Sequence, residues 1–312
     1  MQKAIVTGAT GFIGSSFVNF LTSKGINVIA LGRKPHSELD KYTRQKINDA
    51  NYIKLDMKNI NCLSEKISNM NLDIGNDCVF FNLAWKGKDK LSDLDIRAQM
   101  GNVSQSVAAL EESVKIGCKR FIQVGTMEEA FAHAYLKLDH NFNDQYNRHL
   151  IYAIANIAAK NALQLKASSL NIDFIYVLHS HVMGEHDDKD SFLKVTLQKL
   201  IDGDYLVFSS GKQIFDVISL NDCSLGYYLI CQKGKSGMEY WVGSGNPCEL
   251  REYVERMYKM FPSKKEMQFG KLSYNDIILN KDIFSIEDLT KHTGYKPTMS
   301  FEEIVYDLFK SL

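Results

Sequence analysis

Three glycines at intervals of three residues follow the first apolar segment of the chain, Lys3–Thr7. Gly8 permits a tight turn, Gly11 lets the backbone approach a ligand, and Gly14 lets a following helix pack closely on the strand. The N-terminus of that helix offers free N–H groups and the positive end of a dipole, which bind phosphate. The segment therefore predicts a loop that binds the pyrophosphate of a dinucleotide, rather than an ordinary strand-to-helix turn. The other residues assigned to this loop are Thr10, Phe12 and Ile13.

A basic pair follows the second apolar segment, Asn27–Leu31. Dinucleotide-binding proteins usually carry a carboxylate here, which binds the ribose hydroxyls of NAD. In this chain the position holds Gly32, and Arg33 and Lys34 come next. A guanidinium fork and an ammonium group would bind a phosphate on that ribose. We therefore expect NADP(H) to be preferred over NAD(H), with a solvated basic loop as the alternative.

The GxxGxxG spacing resembles that of the short-chain dehydrogenase/reductase superfamily, especially its extended members, which modify nucleotide sugars. The resemblance runs from residue 3 to about residue 305. It implies that Asp56 and Met57, after the third apolar segment, contact the adenine. It also implies that Leu83 and Ala84, at the end of the fourth segment, and Asn102 belong to the cofactor site, with an amide at Asn102 that typically bridges the core strands.

The same resemblance implies a catalytic tyrosine. In this superfamily a tyrosine hydroxyl relays a proton to or from the sugar oxygen while hydride moves to or from the nicotinamide, and a Ser or Thr binds the same oxygen. Tyr152 and Thr126 occupy these two positions. The lysine that normally follows the tyrosine by four residues is replaced by Asn156. Lys160 lies eight residues after Tyr152, about 12 Å along a helix, which is too far to take its place.

Asn156 can form hydrogen bonds, but it carries no charge. Without a nearby cation, the pKa of Tyr152 should stay near its reference value of about 10, so its hydroxyl should be protonated at neutral pH. Carbonyl reduction needs such a proton donor, whereas alcohol oxidation needs the phenolate as a base. The substitution therefore favours a ketoreductase, or a weakened activity in which Tyr152 is only a core residue of its helix.

Thr126, Met127 and Glu128 resemble the Thr-Asp-Glu segment of nucleotide-sugar 4,6-dehydratases, where the Asp expels water and the Glu is the base at C5. Met127 cannot donate a proton, which weakens the dehydratase interpretation. Glu128 is a candidate base or a group that orients a sugar hydroxyl, and the alternative is a solvated loop carboxylate. The residues assigned to the substrate are Trp85, Met127 and His181.

Two positions at which the family often has arginine are apolar in this chain. They hold Leu178 and Phe215, and the arginine at the second often grips the nucleotide diphosphate. Either other residues hold the nucleotide, or the substrate is not a usual nucleotide sugar. Residues 179–188 contain three histidines and two aspartates, but they lack the dense spacing of metal ligands, so no metal is expected.

Short apolar segments alternate with helical periodicity through the first half of the chain, which is typical of βαβ units and a parallel sheet. The predicted strands are Lys3–Thr7, Asn27–Leu31, Tyr52–Leu55, Asp77–Leu83, Arg120–Val124 and Phe174–Leu178, and the predicted helices are Gly14–Lys24, Gln99–Ile116 and Ile151–Ser168. We expect an α/β fold, a Rossmann-type doubly wound parallel sheet of about seven strands with a small C-terminal α/β substrate domain. The Rossmann domain is assigned to residues 1–175 plus about 205–235, and the substrate domain to about 176–204 and 236–312.

The composition is that of a globular protein, with 312 residues, 45% hydrophobic and 24% charged, and 37 residues of each charge sign. This balance argues against nucleic acid as a partner, and the lack of an 18-residue apolar stretch argues against a membrane span. Six cysteines without a CxxC pair, and a start that does not resemble a signal peptide, predict a reduced, cytoplasmic protein. We also expect a homodimer.

The sequence therefore predicts an NAD(P)(H)-dependent oxidoreductase that acts on a carbonyl or alcohol of a nucleotide sugar, of the 4-ketoreductase or epimerase type, with a place in polysaccharide biosynthesis. Two alternatives stay open. One is a cofactor-binding protein with weakened catalysis, which Asn156 supports and the retention of Tyr152 and Thr126 opposes. The other is a reductase of a non-nucleotide carbonyl, which Leu178 and Phe215 favour.

Overall fold

A computed structural model of the chain describes residues 1–75, 77–87, 95–135, 150–187, 191–263, 265–273 and 277–312. The strands within these ranges are β1 (Lys3–Thr7), β2 (Asn27–Gly32), β3 (Asn51–Lys54), β4 (Cys78–Asn82), β5 (Arg120–Val124), β6 (Asp173–His179), β7 (His181–Met183), β8 (Leu206–Val207), β9 (Ile214–Phe215), β10 (Val217–Ser219), β11 (Glu239–Val242), β12 (Cys248–Glu249) and β13 (Met267–Gln268).

Seven of these strands form one sheet, in the order β3-β2-β1-β4-β5-β6-β11. Every pairing between neighbours in this sheet is parallel. Strand β4 is buried over its whole length, as expected when helices cover both faces of a sheet. The chain builds the sheet outward from β1 to β3 and then returns to the other side of β1 with β4. Such a reversal is where open α/β sheets bind ligands, at the carboxyl ends of the strands.

Helices cover both faces of the sheet. Phe17 and Leu21 of α1 share one apolar cluster with Tyr227 of α8, whereas Leu110 of α4 and Leu163 of α6 belong to the cluster on the opposite face. The helices are α1 (Phe12–Ser23), α2 (Lys41–Lys46), α3 (Leu63–Asn69), α4 (Ile96–Ile116), α5 (Glu128–Tyr135), α6 (Leu150–Leu170), α7 (Phe192–Asp202), α8 (Leu220–Lys233), α9 (Leu250–Met260), α10 (Glu287–Thr293) and α11 (Phe301–Ser311).

A third apolar cluster lies in the second half of the chain. It joins Leu193 and Leu197 of α7 to Tyr253 and Met257 of α9 and to Ile304 of α11. Three small strand pairs, β7 with β10, β9 with β12 and β8 with β13, accompany it. A separate core of this kind agrees with a second structural unit, and the domain boundaries given above stay a prediction.

The predicted fold class is confirmed. β1 and β5 have the predicted bounds, and the other strands predicted in the first half match to within one residue at each end. The seventh strand, β11, was not located from the sequence because its four residues lie far from the alternating segments of the first half. Helix α1 begins at Phe12, two residues before the predicted start, so Phe12 and Ile13 lie in its first turn. No helix in the described ranges is long and apolar enough to cross a membrane.

Candidate active site

The glycine loop is shaped by the close contact of backbone with backbone. A Cβ at Gly14 would lie 2.1 Å from the carbonyl oxygen of Gly8, so α1 can approach the loop only without a side chain there. Gly8 has a φ of +65°, which favours glycine, and a Cβ on it would lie 3.0 Å from the backbone nitrogen of Ala84. Gly11 caps α1 without any side-chain hydrogen bond from the described residues, which leaves the first N–H groups available to a phosphate. These residues fit a dinucleotide.

Thr7 joins the two strands that flank the reversal point. Its hydroxyl donates to Asn82 Oδ1 at 2.5 Å. The same oxygen accepts the backbone N–H groups of Leu83, at 3.1 Å, and Ala84, at 3.0 Å. Leu83 and Ala84, which were predicted to contact the cofactor, are therefore fixed beside Gly8. Sequence reasoning missed Thr7, and its position as the last residue of β1 was the available signal.

At the end of β2, a side chain in place of Gly32 would have to displace the side chains of Tyr52 and Thr10. A Cβ at Gly32 would lie 2.5 Å from Tyr52 Oη and 2.7 Å from Thr10 Cγ2. Tyr52 is held there because its hydroxyl donates to the carbonyl oxygen of Lys34 at 2.6 Å. The side chains of Arg33 and Lys34 are exposed, and neither forms an ion pair with another described residue. Both charges are thus available to an anionic ligand.

Asp56 and Met57 lie at the start of a short 3₁₀ helix after β3. Asp56 is half-buried and accepts the backbone N–H of Lys58 at 3.0 Å, so one carboxylate oxygen serves as a helix cap. Met57 packs against the apolar cluster of its sheet face. Contact of this pair with an adenine stays a prediction.

Asn102 was expected to bridge the core strands and to contribute to the cofactor site; the second role stays a prediction, and the first is not what the structure shows. Its amide does not bridge the core strands but holds the loop after β4, because it accepts the N–H of Lys86 at 2.8 Å and donates to the carbonyl of Lys86 at 2.7 Å. Asn82 performs the bridging instead, since its amide reaches Gln123 of β5 at 2.7 Å and Ser106 of α4 at 3.3 Å. The sequence pattern could not distinguish these two amides, which lie on neighbouring elements.

Thr126 and Tyr152, 26 residues apart in the chain, come together at the carboxyl end of the sheet. Thr126 follows β5, Tyr152 lies in the first turn of α6, and the Thr126 hydroxyl lies close enough to lower the pKa of Tyr152. The indole of Trp85 meets the Tyr152 ring edge-on, with 6.1 Å between centroids. Trp85 is itself fixed by a hydrogen bond from its Nε1 to Gln99 Oε1 at 2.8 Å. A reacting carbonyl oxygen placed at this pair would meet two hydroxyl groups.

The environment of Tyr152 holds its proton tightly. Burial, with the charges of Glu128 and Glu129 adding to it, raises the pKa of Tyr152 to about 12, and the nearby Thr126 hydroxyl opposes the rise. This pKa lies above the value of about 10 expected from the sequence, since burial and two carboxylates add to the lack of a lysine. The phenol is therefore protonated at neutral pH.

Asn156 and Lys160 do not replace the absent lysine. Asn156 is only 2% exposed, and its amide donates to the carbonyl of Tyr152, one turn earlier, at 3.0 Å. Lys160 extends its ammonium to Glu239 Oε2 at 2.8 Å and lies 3.7 Å from Glu129 Oε2. The charge of Lys160 is therefore directed to these two glutamates and not to the Tyr152 hydroxyl.

Glu128 is not the solvated loop carboxylate that the sequence left open. It is 5% exposed in the first turn of α5, and its N–H donates to Thr126 Oγ1 at 3.3 Å. Met127 is half-buried against the apolar cluster of its sheet face. The segment therefore brings a carboxylate close enough to influence Tyr152, without the acid that a 4,6-dehydratase of the usual pattern carries.

Among the residues assigned to the substrate, His181 lies in the second half of the chain, and its contact with substrate stays a prediction. His181 is half-buried, with its ring 5.3 Å from that of Phe215. Leu178 is 5% exposed inside β6, where an arginine would have to be buried in the core. The described residues hold no group of three or more metal-ligating side chains. Asp188 lies outside the described ranges, and the absence of a metal stays a prediction.

Sequence reasoning also missed a cavity of about 210 Å³ between α7, α9 and the loops around β8. Phe208 and Phe269 stack in its wall, with 5.1 Å between centroids. The guanidinium of Arg251 lies 4.5 Å from the centroid of Phe269. Gln213 also lines the cavity, and its buried Oε1 accepts no hydrogen bond from the described residues. None of the predicted catalytic residues lines this cavity.

A glycine cradle at the reversal point of a parallel sheet, with a threonine–tyrosine pair beside it, defines a Rossmann-type protein of the extended short-chain dehydrogenase/reductase class. The chain belongs to the NAD-dependent epimerase/dehydratase family, whose sequence profile matches residues 4–243. The prediction of the family is confirmed.

Curated relatives match over nearly the whole chain. CDP-abequose synthase of Salmonella typhimurium is 26% identical, over 100% of this chain and 98% of that protein. The dTDP-6-deoxy-L-talose 4-dehydrogenase (NAD(+)) of Aggregatibacter actinomycetemcomitans is 25% identical, over 84% of this chain and 96% of its own length. Among solved structures, the UDP-glucose 4-epimerase of Thermotoga maritima superposes with a TM-score of 0.79 at 18% identity, covering 99% and 98% of the two chains. These three proteins are named as enzymes of nucleotide sugars, and the chain is similar to them over most of its length.

Proposed function

We propose that the protein is an NADPH-dependent reductase of a nucleotide-linked keto sugar, acting on the carbonyl at C4. The observation that carries this proposal is the protonated Tyr152 beside the Thr126 hydroxyl, because carbonyl reduction needs a proton donor at this place. Two relatives support a nucleotide-linked sugar as substrate: one is named CDP-abequose synthase, and the other is named a 4-dehydrogenase of dTDP-6-deoxy-L-talose, which also supports position 4.

In this mechanism the cofactor, when bound, supplies a hydride to the carbonyl carbon. Tyr152 gives its hydroxyl proton to the carbonyl oxygen, which becomes the new alcohol and leaves Tyr152 as a phenolate. The nearby Thr126 hydroxyl would donate a hydrogen bond to that phenolate and lower its cost. The ring of Trp85 shields the tyrosine from solvent on one side. A proton from solvent then restores the phenol.

The proposed preference for NADPH rests on the end of β2. Gly32 stands where a ribose-binding carboxylate usually lies and carries no charge, and the exposed Arg33 and Lys34 supply two cations at the same loop. A ribose phosphate would gain charge-assisted hydrogen bonds there. The family description and one relative's name refer to NAD, so this preference would be a property of the basic pair in this chain.

We further propose that the nucleotide base of the substrate binds in the cavity beside α9. Stacked aromatic rings suit a planar base, and the buried Oε1 of Gln213 suits an amino or imino N–H group on that base. Gln213→Leu should raise KM for the nucleotide sugar about tenfold or more, since a neutral hydrogen bond of this kind contributes about 1 kcal/mol and an unpaired base N–H costs more. Gln198, exposed on α7, offers the control variant Gln198→Leu.

The test of the function is a screen of purified protein with NADPH against 4-keto nucleotide sugars that differ in their base. Consumption of NADPH with formation of the 4-hydroxy sugar is the expected result. Consumption with a keto compound that carries no nucleotide would favour the second candidate, a non-nucleotide reductase, which Phe215 in place of the diphosphate-binding arginine supports. A protein that binds NADPH without turnover with any of these compounds would favour the weakened form that Asn156 suggests. The homodimer and the cytoplasmic location are further proposals.

A further inference from the structure

A buried carboxylate lies directly behind the catalytic threonine. Glu129 of α5 is 0% exposed, and its Oε1 accepts the backbone N–H of Thr126 at 3.0 Å. The same oxygen accepts the hydroxyl of Tyr176, from β6, at 2.7 Å. Glu129 therefore fixes the turn that presents the Thr126 hydroxyl to Tyr152.

The end of β5 has the shape that this carboxylate requires. A Cβ at Gly125 would lie 2.3 Å from Glu129 Oε1 and 2.2 Å from Tyr176 Oη. Both atoms are buried, so neither can move aside at low cost. The lack of a side chain at Gly125 therefore makes room for the hydrogen bond between Glu129 and Tyr176.

Charged and titratable groups face Glu129 from three other elements. Tyr152 and Lys160 belong to α6, Tyr176 to β6 and Glu239 to β11, while Glu128 precedes it on α5 itself. Lys160 lies 3.7 Å from Glu129 Oε2 and is shared with Glu239.

Burial raises the pKa of Glu129 to about 7, and Glu239 adds to the rise, whereas Tyr176, the Thr126 N–H and Lys160 oppose it. Glu129 thus changes charge in the range where the enzyme would work. Its negative charge is also one of the causes that hold the pKa of Tyr152 high.

We propose that Glu129 is a positioning residue whose charge governs how readily the Tyr152 hydroxyl releases its proton. This proposal rests on the proposed function only for its catalytic consequence. When Glu129 is neutral, the Tyr152 phenolate loses a like-charged neighbour and proton donation becomes easier. When Glu129 is ionised, donation becomes harder. Ketone reduction should therefore slow as pH rises through about 7.

The effect of the Glu129 charge on Tyr152 can be measured without substrate, by ¹³C NMR of protein labelled at the ζ-carbon of tyrosine. Tyr152→Phe identifies the Tyr152 resonance. We expect this resonance to shift in one step between pH 5.5 and 9, centred near the pKa of Glu129, about 7. Glu129→Gln should remove the step, because glutamine keeps an oxygen that accepts from Thr126 and Tyr176 but does not titrate.

A second buried glutamate supplies the matched control. Glu112 of α4 is also 0% exposed, accepts the N–H of Ser64 at 3.0 Å and pairs with Lys115. Glu112→Gln should leave the Tyr152 step in place. A flat Tyr152 resonance in the unmodified protein, or a step that survives Glu129→Gln, would overturn the proposal.

Two further variants test whether Glu129 causes the step in the Tyr152 resonance, by the direction in which each variant moves the midpoint of that step. Lys160→Met removes the cation beside Glu129 and should move the midpoint to higher pH, whereas Glu239→Gln removes an anion and should move it to lower pH. An unchanged midpoint in both variants would show that another group is titrating.

The catalytic consequence is read separately, from the pH dependence of kcat/KM for ketone reduction. The decline above pH 7 should disappear in Glu129→Gln, and a decline that persists would overturn the positioning role. If the protein shows the NMR step but reduces no keto sugar, the effect of the Glu129 charge on Tyr152 stands and the proposed function is overturned. Failure of this inference and failure of the proposed function are therefore distinguishable.

Discussion

The two ends of the site are built in different ways. At the cofactor end, backbone atoms set the geometry, since Gly14 and Gly8 lie so close that a single Cβ would come within 2.1 Å of a carbonyl oxygen. At the catalytic end, side chains from β5, α5, α6 and β6 set the chemistry, and the pKa of Tyr152 depends on its burial and its carboxylate neighbours. The cofactor end therefore tolerates no change of shape, whereas the catalytic end can be altered by a change of charge.

The largest effect is expected from Gly14→Val. A β-branched side chain against the Gly8 carbonyl must displace α1 from the loop, and overpacking of this kind costs about 1–3 kcal/mol. Calorimetric titration should show that binding of NADPH is lost, together with a lower Tm. Gly101→Ala is the control, because a Cβ there meets only Gln105 Nε2 at 3.6 Å and alanine favours the helix. Unchanged NADPH binding in Gly14→Val would refute the backbone-built cradle.

At the catalytic end, Tyr152→Phe removes the proposed proton donor while keeping the ring against Trp85. Turnover should fall about a hundredfold or more, and the affinity for NADPH should not change. Tyr306→Phe, at a tyrosine 52% exposed on α11, is the matched control and should keep full activity. Full turnover in Tyr152→Phe would point to another acid, with the buried Glu128 as the first candidate.

The basic pair after β2 tests whether charge also matters at the cofactor end. Arg33→Ala should abolish most of the preference for NADPH over NADH, since a charge-assisted contact contributes about 1.5–3 kcal/mol, a factor of about ten to a hundred. Lys259→Ala removes an exposed cation from α9 and should leave the preference intact. Equal affinities for the two cofactors in the unmodified protein would refute the assignment.

The smallest and most informative change is Asn156→Lys. A cation one turn after Tyr152 favours the phenolate, so the pKa of the tyrosine should fall by about one unit or more, which corresponds to about 1.4 kcal/mol. The pH profile of alcohol oxidation should then move to lower pH. Because Asn156 is buried, the variant should also have a lower Tm.

Asn161 is a close control for that substitution. It lies on the same helix, and its amide also donates to the carbonyl four residues earlier, that of Ile157, at 2.8 Å, but it is exposed. Asn161→Lys should leave both the pH profile and the Tm unchanged. Identical pH profiles for Asn156→Lys and Asn161→Lys would show that Asn156 does not neighbour the reacting hydroxyl.

The contrast between a cofactor end set by backbone atoms and a catalytic end set by side chains also explains which parts of the site could be predicted from the sequence. The cradle and the positions of strands β1 to β6 depend on local rules, such as glycine at a tight turn and apolar segments at buried strands, so they could be predicted along the chain. The pairing of Thr126 with Tyr152 was available only through the family pattern. The roles of Asn102 and Glu129 could not be predicted from the sequence, because each depends on a partner from another part of the chain. The partner is Lys86 for Asn102 and Tyr176 for Glu129. The cavity at Gln213 likewise forms between segments about 60 residues apart.

The most direct measurement follows a deuterium atom. The protein is incubated with NADPH deuterated at the hydride position of its nicotinamide, together with a 4-keto nucleotide sugar, and the product is examined by NMR. Reduction at C4 with Tyr152 as the proton donor predicts deuterium on carbon 4 of the product sugar, one per NADPH consumed, and about a hundredfold slower incorporation in Tyr152→Phe. Deuterium at another carbon, or formation of product without consumption of NADPH, would contradict the account.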